Sequence, residues 1–346
     1  MVISLDDAQD MRAGDPSGLL AQLASLPDQL EWAGGLDPAP SPGADQVIVC
    51  GVGGSAIAGD VAADLLSSVS PVPIVVSRDV ALPAFAGPRT LAVVISYSGN
   101  TAESLNLYED ARARGCRLAV ITSGGKLEAL ARSNSDLLVM VPGGNQPRAS
   151  TGYLLGALAA ILQCSGIGRL RDDLVGVASG LRSYLDSLAA DRPTSANPAK
   201  KLALALNGNV VAIYAPRSIR SLAVRWQNQI NENAKSVAFA GEVPEMDHNQ
   251  LVGWLEGGRG CSCRPALLMP GDMHPTVRTM AEVTLQMLNE RGLDPVLVPL
   301  PGDGLLENLL QGMLLGDMVS YYLAVLKGVD PAPVSVITEF KRRIAP

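Results

Sequence analysis

One stretch of the chain, NENAKSVAFAGEVPEMDHNQ (231–250), concentrates side chains that can exchange protons. It holds His248, one of two histidines in the chain, directly after Asp247, and Glu232 lies near its start. A neutral imidazole exchanges protons at physiological pH, and a carboxylate can act as a general base. Two interpretations are open: a polar surface loop, or an acid and a base assembled for proton transfer.

A glycine-rich stretch, GVGGSAIAGD (51–60), follows the first predicted strand and begins a helix. Backbone N–H groups at such a helix start can bind phosphate. The stretch also fits a loose dinucleotide-binding motif, with Asp79 after the second strand as the ribose partner. A turn that only packs the helix against the strand is the third interpretation. This stretch alone supports the three interpretations about equally.

A second stretch, SYSGNTAES (96–104), places the hydroxyls of Ser96, Ser98 and Thr101 around a Gly-Asn turn at a helix start. Capping of the helix would account for one hydroxyl but not for three. Hydroxyls together with free N–H groups suit a phosphomonoester, because its terminal oxygens all need donors. A dinucleotide pyrophosphate needs no such hydroxyl cluster. The stretch therefore predicts a phosphomonoester site.

A sheet has to position these two stretches. In the first half of the chain, short apolar runs alternate with helical patterns, which is typical of a parallel sheet with crossover helices. After a helix over 17–36, the predicted strands cover 46–51, 72–77, 90–96, 117–122 and 136–141. This spacing predicts a flavodoxin-like, doubly wound sheet, in which strands one and three lie side by side. Both loops then face one crevice, where the phosphate would be held by Gly54, Ser55, Ser96, Ser98 and Thr101.

The α/β pattern restarts after the linker-like stretch ADRPTSANP (190–198). Strands are predicted over 209–215, 264–270 and 295–300, and helices over 218–234, 274–292, 307–328 and 334–344. The sequence therefore predicts two doubly wound, parallel-sheet α/β domains. We expect the first over residues 1–170 and the second over residues 195–346.

Composition limits the function further. The chain has 346 residues, of which 47% are hydrophobic, and a net charge of −7 that disfavours nucleic acid and anionic membranes as general partners. The five cysteines include no CxxC pair, so neither a disulfide framework nor a zinc site is indicated. The acidic start does not fit a signal peptide, and no apolar run with suitable flanks is expected to span a membrane. A cytoplasmic protein is expected.

Taken together, GVGGSAIAGD and SYSGNTAES resemble the sugar isomerase domain family, which binds sugar phosphates. Four downstream stretches narrow the resemblance: QPRAS (146–150), NENAK (231–235), EMDHNQLVGW (245–254) and EFKRR (339–343). Together with LPDQLEWA (26–33), they look like the bifunctional phosphoglucose/phosphomannose isomerase family of archaea and bacteria. The resemblance covers nearly the whole chain. It implies the sugar isomerase type of fold in both domains.

The resemblance also implies an activity and the residues that carry it. Aldose–ketose isomerisation moves a proton between C1 and C2 through an enediol, without metal or cofactor. By resemblance, Glu232 is the base that transfers the proton, and Arg148 stabilises the enediolate. Solvent-exposed roles are the alternatives for both: a carboxylate at a helix end and an ion-paired surface arginine. Because a helix C-terminus disfavours a carboxylate, the position of Glu232 favours function.

His248 looks like the ring-opening residue of that family, in which the neighbouring subunit contributes it. This implies a homodimer with shared sites and a small-molecule sugar phosphate as substrate. Lys341 resembles a lysine that assists at the ring end of the substrate, although a solvated basic tail is nearly as good an interpretation. We expect His274 to be structural and Asp247 to orient His248.

Three rival functions remain at this stage. The first is a glucose 6-phosphate isomerase without useful mannose activity, because the pocket shape at C2 cannot be deduced from sequence. The second is a non-catalytic sugar-phosphate sensor, which would not need Glu232, His248 and Arg148 together. The third is a dinucleotide-dependent dehydrogenase, which rests on the loose glycine motif. The sequence shows no metal-binding constellation, so activity is expected to survive a chelator.

Overall fold

The first sheet contains the predicted alternation of buried strands and crossover helices. The computed structural model describes residues 4–7, 11, 13–258, 260 and 262–344. Within these residues, five parallel strands pair in the order β2-β1-β3-β4-β5, which confirms the flavodoxin-like prediction. The strands are β1 (Gln46–Cys50), β2 (Ile74–Ser77), β3 (Thr90–Ile95), β4 (Arg117–Thr122) and β5 (Leu137–Met140).

The central position of β3 follows from its sequence. All six of its residues, TLAVVI, are buried, as expected for a parallel strand that is covered on both faces. It pairs with β1 on one side and β4 on the other. The carboxyl ends of β1 and β3 are therefore neighbours, and the two predicted phosphate loops leave the sheet side by side.

The second sheet is smaller and contains one strand that the sequence analysis missed. In the described part of the chain, four parallel strands pair in the order β7-β6-β8-β9. They are β6 (Val210–Pro216), β7 (Ala238–Val243), β8 (Cys263–Pro270) and β9 (Val296–Leu300). The interpretation of the region around β7 as loop was wrong. Its sequence, AFAGEV, carries a glycine and a glutamate and lies at the sheet edge, where Phe239 is 60% exposed, so the strand pattern is weak.

The helices largely follow the predicted order. Those before and around the first sheet are α1 (Leu19–Ala24), α2 (Leu26–Trp32), α3 (Gly54–Leu66), α4 (Ala102–Ala113), α5 (Gly125–Ser133), α6 (Thr151–Cys164) and α7 (Leu170–Leu188). Those of the second half are α8 (Pro198–Leu206), α9 (Arg220–Asn233), α10 (Pro275–Glu290), α11 (Leu305–Lys327) and α12 (Ser335–Ile344). The single opening helix predicted over 17–36 is wrong. Ser25, with φ −79° and ψ 2°, separates α1 from α2, whose second residue is Pro27.

Helix α11 is the largest buried element. Most of its residues are buried, which is expected of a helix that is apolar on nearly all sides. Among the described residues, it is the one helix long and apolar enough to cross a membrane by length and composition. However, 89% of its apolar window is buried inside the protein, as in the core helix of a globular fold.

One continuous apolar core joins both sheets. It runs from α1 through the first sheet and α6 to α9, the second sheet and α11. The two sheets fall inside the two predicted domain ranges, whose exact boundaries stay a prediction. Cys261 of the predicted cysteine set lies outside the described residues.

Candidate active site

A cleft of about 280 Å³ lies where the two halves of the chain meet. The loops after β1 and β3, the turn after β5, the end of α9 and the helix α12 all contribute to its wall. The predicted site residues that line it are Gly54, Ser55, Ser98, Thr101, Arg148, Glu232 and Lys341.

The loop after β1 combines an unusual backbone with close packing. Gly53 has φ 56°, in the left-handed region that favours glycine, and α3 begins at Gly54. A Cβ on Gly54 would lie 3.2 Å from Cα of Arg148, so a side chain there would press on the arginine segment. Ser55 is buried, and its Oγ lies 3.4 Å from the backbone N–H of Tyr97 in the neighbouring loop. The close approach of Arg148 therefore favours glycine at position 54, and the backbone conformation before the helix favours glycine at position 53.

The loop after β3 supplies the hydroxyls. Thr101 is the N-cap residue of α4 by position, but its Oγ1 lies 3.1 Å from Oγ of Ser96 rather than capping the helix. Ser96 is 2% exposed and stands behind Thr101, outside the lining of the cleft, whereas Ser98 lines it directly. Gly99, with φ 66°, makes the turn possible, because a Cβ there would lie 1.7 Å from the carbonyl oxygen of Gly124. Capping therefore does not explain these hydroxyls.

Glu232 and Arg148 face each other in the cleft. Glu232 is the next-to-last residue of α9, and its side chain is 26% exposed. Its Oε2 lies 3.6 Å from Nη1 of Arg148, which is 4% exposed and belongs to the 3-10 turn Pro147–Ala149. Burial raises the pKa of the Glu232 carboxyl, and nearby cations, first of all Arg148, oppose that rise. Burial also lowers the pKa of the Arg148 guanidinium. The surface alternatives for both residues are therefore wrong.

Lys341 is placed at the cleft by α12, together with Val334 and Ile337. Lys341 is exposed but also lines the cleft, whereas its exposed neighbours Arg342 and Arg343 pair with Glu339. The positive charge of Lys341 also opposes the raised pKa of Glu232.

His248 stands apart from this cleft. It is the exposed last residue of the 3-10 turn Glu245–His248 after β7 and is not part of the described cleft wall. Oδ1 of Asp247 accepts a hydrogen bond from Thr284 at 2.7 Å, and the orientation of His248 by Asp247 stays a prediction. His274 is the N-cap of α10, and its Nδ1 accepts the N–H of Thr276 at 3.2 Å, which agrees with a structural role.

The cleft also contains residues that the sequence analysis did not single out. Tyr97, Glu103 and Gln146 line it, and each lies inside a stretch already quoted for its motifs. Lys235, with φ 50°, donates from Nζ to the backbone carbonyl of Glu232 at 2.7 Å. These residues lie in or beside motifs that are visible in the sequence. Whether their side chains point into the cleft depends on contacts between distant segments. Among the described residues, no group of three His, Cys, Asp or Glu side chains is arranged to hold a metal ion.

The chain is similar to known proteins over nearly its full length. Residues 43–162 match the SIS domain, and residues 195–344 match the bacterial phospho-glucose isomerase C-terminal SIS domain. The chain is 33% identical over 319 residues to the bifunctional phosphoglucose/phosphomannose isomerase of Aquifex aeolicus, covering 92% of this chain and 95% of that relative. It is also 33% identical over 310 residues to the protein of that name from Caldicellulosiruptor bescii, covering 87% and 90% of the two chains.

The fold has a solved counterpart as well. The crystal structure of a glucose-6-phosphate isomerase like protein from Thermus thermophilus superimposes with a TM-score of 0.64 at 23% identity. The match covers 96% of this chain and 99% of that chain, and it supports the fold alone. The rival dinucleotide-dependent dehydrogenase has no counterpart among these similarities. From the identity and coverage of the sequence relatives, the chain belongs to the bifunctional phosphoglucose/phosphomannose isomerase family.

Proposed function

We propose that the protein interconverts fructose 6-phosphate with glucose 6-phosphate and mannose 6-phosphate through a cis-enediol intermediate. The observation that carries the proposal is the 3.6 Å approach of Glu232 to Arg148 in a cleft that hydroxyl-bearing loops also line. Membership of the family, whose relatives are named phosphoglucose/phosphomannose isomerases, supports the substrate class.

The cleft suggests how the substrate is oriented. The phosphate group lies against the start of α3 at Gly54 and Ser55, and against the hydroxyls of Ser98 and Thr101, with Ser96 supporting Thr101. Backbone N–H groups at a helix start and neighbouring hydroxyls can satisfy the terminal oxygens of a phosphomonoester. The far end of the sugar then reaches Glu232 and Arg148.

Glu232 and Arg148 divide the proton transfer between them. Glu232 removes the proton from C2 of the aldose and returns it to C1, and its raised pKa brings it nearer to that of an effective base at neutral pH. Nη1 of Arg148 faces the oxygen on which negative charge develops. The arginine is already held by its neighbours, so little reorganisation is needed during the reaction.

Ring opening requires groups from the rim of the cleft. Lys341 stands at the rim on α12 and assists at the ring end of the substrate. His248 opens the ring from the neighbouring subunit of a homodimer. His248 is exposed and does not line the cleft within its own chain, which is compatible with this assignment.

The proposal extends to the cellular role. A doubly charged sugar phosphate does not cross membranes readily, so we place the enzyme in the cytoplasm, where it serves glycolysis and gluconeogenesis. We propose no cofactor or metal for the reaction. A non-catalytic sensor is disfavoured because such a module would not need a half-buried glutamate and a buried arginine that face each other beside the phosphate loops.

The test is direct. The purified protein is supplied with fructose 6-phosphate, and glucose 6-phosphate and mannose 6-phosphate are measured by separate coupled assays, with and without a chelator. We expect both aldoses to appear in both conditions. Formation of glucose 6-phosphate alone would support the narrower isomerase, and the absence of both aldoses from folded protein would overturn the proposal.

A further inference from the structure

The guanidinium of Arg148 is held almost entirely by uncharged oxygens. Nε donates to Oδ1 of Asn233 at 2.6 Å, and Nη1 lies 3.3 Å from Oε1 of Gln146. Nη2 donates to the backbone carbonyls of Pro331 and Ala332, each at 2.8 Å. Among the described residues, the one carboxylate that approaches within salt-bridge distance is Glu232, at 3.6 Å on the cleft side.

The buried carboxylate nearest to this network is taken by another cation. Asp317 Oδ2 accepts from Arg225 Nη2 at 2.6 Å, and its Oδ1 accepts from Gln229 at 2.8 Å. Arg225 and Asp317 are both nearly inaccessible, with side chains 3% and 2% exposed. Their pairing leaves the charge of Arg148 without a buried counter-ion in direct contact.

The orientation of the Asn233 amide is determined by its other partner. Asn233 is fully buried, and its Nδ2 donates to Oγ of Ser320 at 2.9 Å. The hydroxyl of Ser320 in turn donates to the backbone carbonyl of Asp317 at 2.7 Å, so its oxygen is left to accept. The carbonyl oxygen of Asn233 therefore has to face Arg148.

We propose that Asn233 is a positioning residue that aims Arg148 at the reacting end of the sugar without adding a second carboxylate to the one, Glu232, that already faces its guanidinium. The inference rests on the proposed function, because it assumes that an oxyanion develops opposite Nη1. A carboxylate at position 233 would hold the arginine equally well. It would also place a negative charge in contact with the guanidinium. The electrostatic stabilisation that Arg148 gives to the oxyanion would then be weaker.

The variant that separates position from charge is Asn233→Asp, which is close to isosteric. Its first oxygen can accept from Nε of Arg148, and Ser320 can turn its hydroxyl toward the second oxygen. We expect kcat to fall about tenfold or more, a smaller loss than the roughly 10²–10³-fold loss on deletion of an oxyanion donor, because Arg148 stays in place. We also expect the acid limb of kcat/KM to move to higher pH.

The direction of the pH effect follows from the charges around Glu232. Four cations oppose the raised pKa of its carboxyl: Arg148, Arg225, Lys235 and Lys341. In Asn233→Asp, the new carboxylate partly neutralises the charge of Arg148. Arg148 then lowers the pKa of Glu232 less, so that pKa rises further. In Asn233→Ala, by contrast, the charge of Arg148 remains. That variant should lose kcat through poorer positioning without moving the acid limb.

Binding of two substrate analogues provides a readout that does not need turnover. 6-Phosphogluconate carries a carboxylate at the reacting end, whereas glucitol 6-phosphate is neutral there. By calorimetry, we expect Asn233→Asp to bind 6-phosphogluconate at least fivefold more weakly and glucitol 6-phosphate with unchanged affinity. Asn197→Asp is the control for a buried asparagine-to-aspartate change away from the cleft. It keeps the oxygen that caps α8 and loses the hydrogen bond from Nδ2 to the carbonyl of Ala189, so its fold is checked by circular dichroism before binding is compared.

The outcomes distinguish this inference from the proposed function. An active wild type with unchanged kcat, acid limb and analogue binding in Asn233→Asp would overturn the inference alone. The wild type could instead be inactive yet bind 6-phosphogluconate more tightly than glucitol 6-phosphate. If Asn233→Asp loses that preference, the inference is supported while the proposed function fails. If Asn233→Asp does not fold, unchanged kcat in Asn233→Ala would overturn the positioning role.

Discussion

The carboxylate of Glu232 lies 3.6 Å from Nη1 of Arg148, although α9 carries one residue and the turn after β5 carries the other. Their meeting depends on Gly54, against which the arginine backbone packs, and on the approach of α9 to the first domain. A carboxylate and a fixed positive charge thus lie together beside the loops after β1 and β3.

Replacement of the proposed base tests the central step. Glu232→Gln keeps the size of the side chain and removes the proton acceptor. Since general-base catalysis is typically worth about 10²–10⁴-fold in rate, we expect kcat to fall by that factor with little change in KM or Tm. Exchange of the C2 proton of glucose 6-phosphate with deuterated water, followed by NMR, should be lost as well.

The control for this variant is Glu128→Gln, which removes a carboxylate that pairs with Arg132 on the surface of α5. It should leave kcat and proton exchange unchanged. Deuterium incorporation at the wild-type rate in Glu232→Gln would show that another residue carries the proton.

The hydroxyls of the second loop should act on binding. Ser98 and Thr101 line the cleft. In the proposed binding mode, they contact the phosphate equally in the ground state and in the transition state. Replacement of both with alanine should therefore mainly raise KM for fructose 6-phosphate. Ser104→Ala is a suitable control, because the Ser104 hydroxyl is buried against the carbonyl of Ile95. An unchanged KM in the folded double variant would contradict the phosphate assignment.

Mixing of two inactive chains tests the shared site. If His248 is donated across a dimer interface, a heterodimer of Glu232→Gln and His248→Ala has one site with both residues intact. After complete subunit exchange, about one quarter of the wild-type activity should return, since half of the dimers are mixed and one of their two sites works. No recovery despite demonstrated exchange would mean that each site is built within one chain.

The charge of Lys341 should be visible in the pH profile. Lys341 opposes the raised pKa of Glu232, so its loss in Lys341→Met raises that pKa further. The acid limb of kcat/KM should move to higher pH, and the difference from wild type should shrink at high salt. Arg343→Met removes a neighbouring cation that pairs with Glu339, and it should leave the limb in place. If the acid limb does not move in Lys341→Met, then Lys341 does not affect the pKa of the proposed base.

A buried carboxyl outside the site should affect stability. Asp64 accepts the backbone N–H of Ser221 at 2.8 Å, and burial raises its pKa from 3.8 to about 6. Because the folded protein holds this proton more tightly than the unfolded chain, the stabilisation is complete below pH 3.8 and is lost as the pH rises through about 6.

Between pH 3.8 and about 6, the free energy of unfolding should therefore fall less in Asp64→Asn than in wild type. Urea unfolding at several pH values measures this difference. The amide oxygen can still accept from Ser221. Asp303→Asn, at an exposed position, is the control for the loss of one negative charge. Parallel pH curves for wild type and Asp64→Asn would contradict the assignment.

The sequence by itself determined the first sheet and its two loops. Buried parallel strands such as β3 are apolar throughout, and helix-start loops need glycines and hydroxyls at set positions, so both leave local signals. The strand β7 left a much weaker signal, because an edge strand is only half buried and tolerates Gly241 and Glu242. The break at Ser25 between α1 and α2 was likewise hidden in a continuous helical pattern.

Only the tertiary structure decided which charges meet. That Lys341 reaches the cleft while Arg342 and Arg343 do not depends on how α12 packs over it. That Arg148 is held by the neutral amide of Asn233, while Asp317 goes to Arg225, depends on contacts between residues far apart in the chain. Sequence patterns record which face of an element is buried. The partner of a buried polar group is selected by the geometry with which distant elements pack, and that geometry leaves no local pattern to detect.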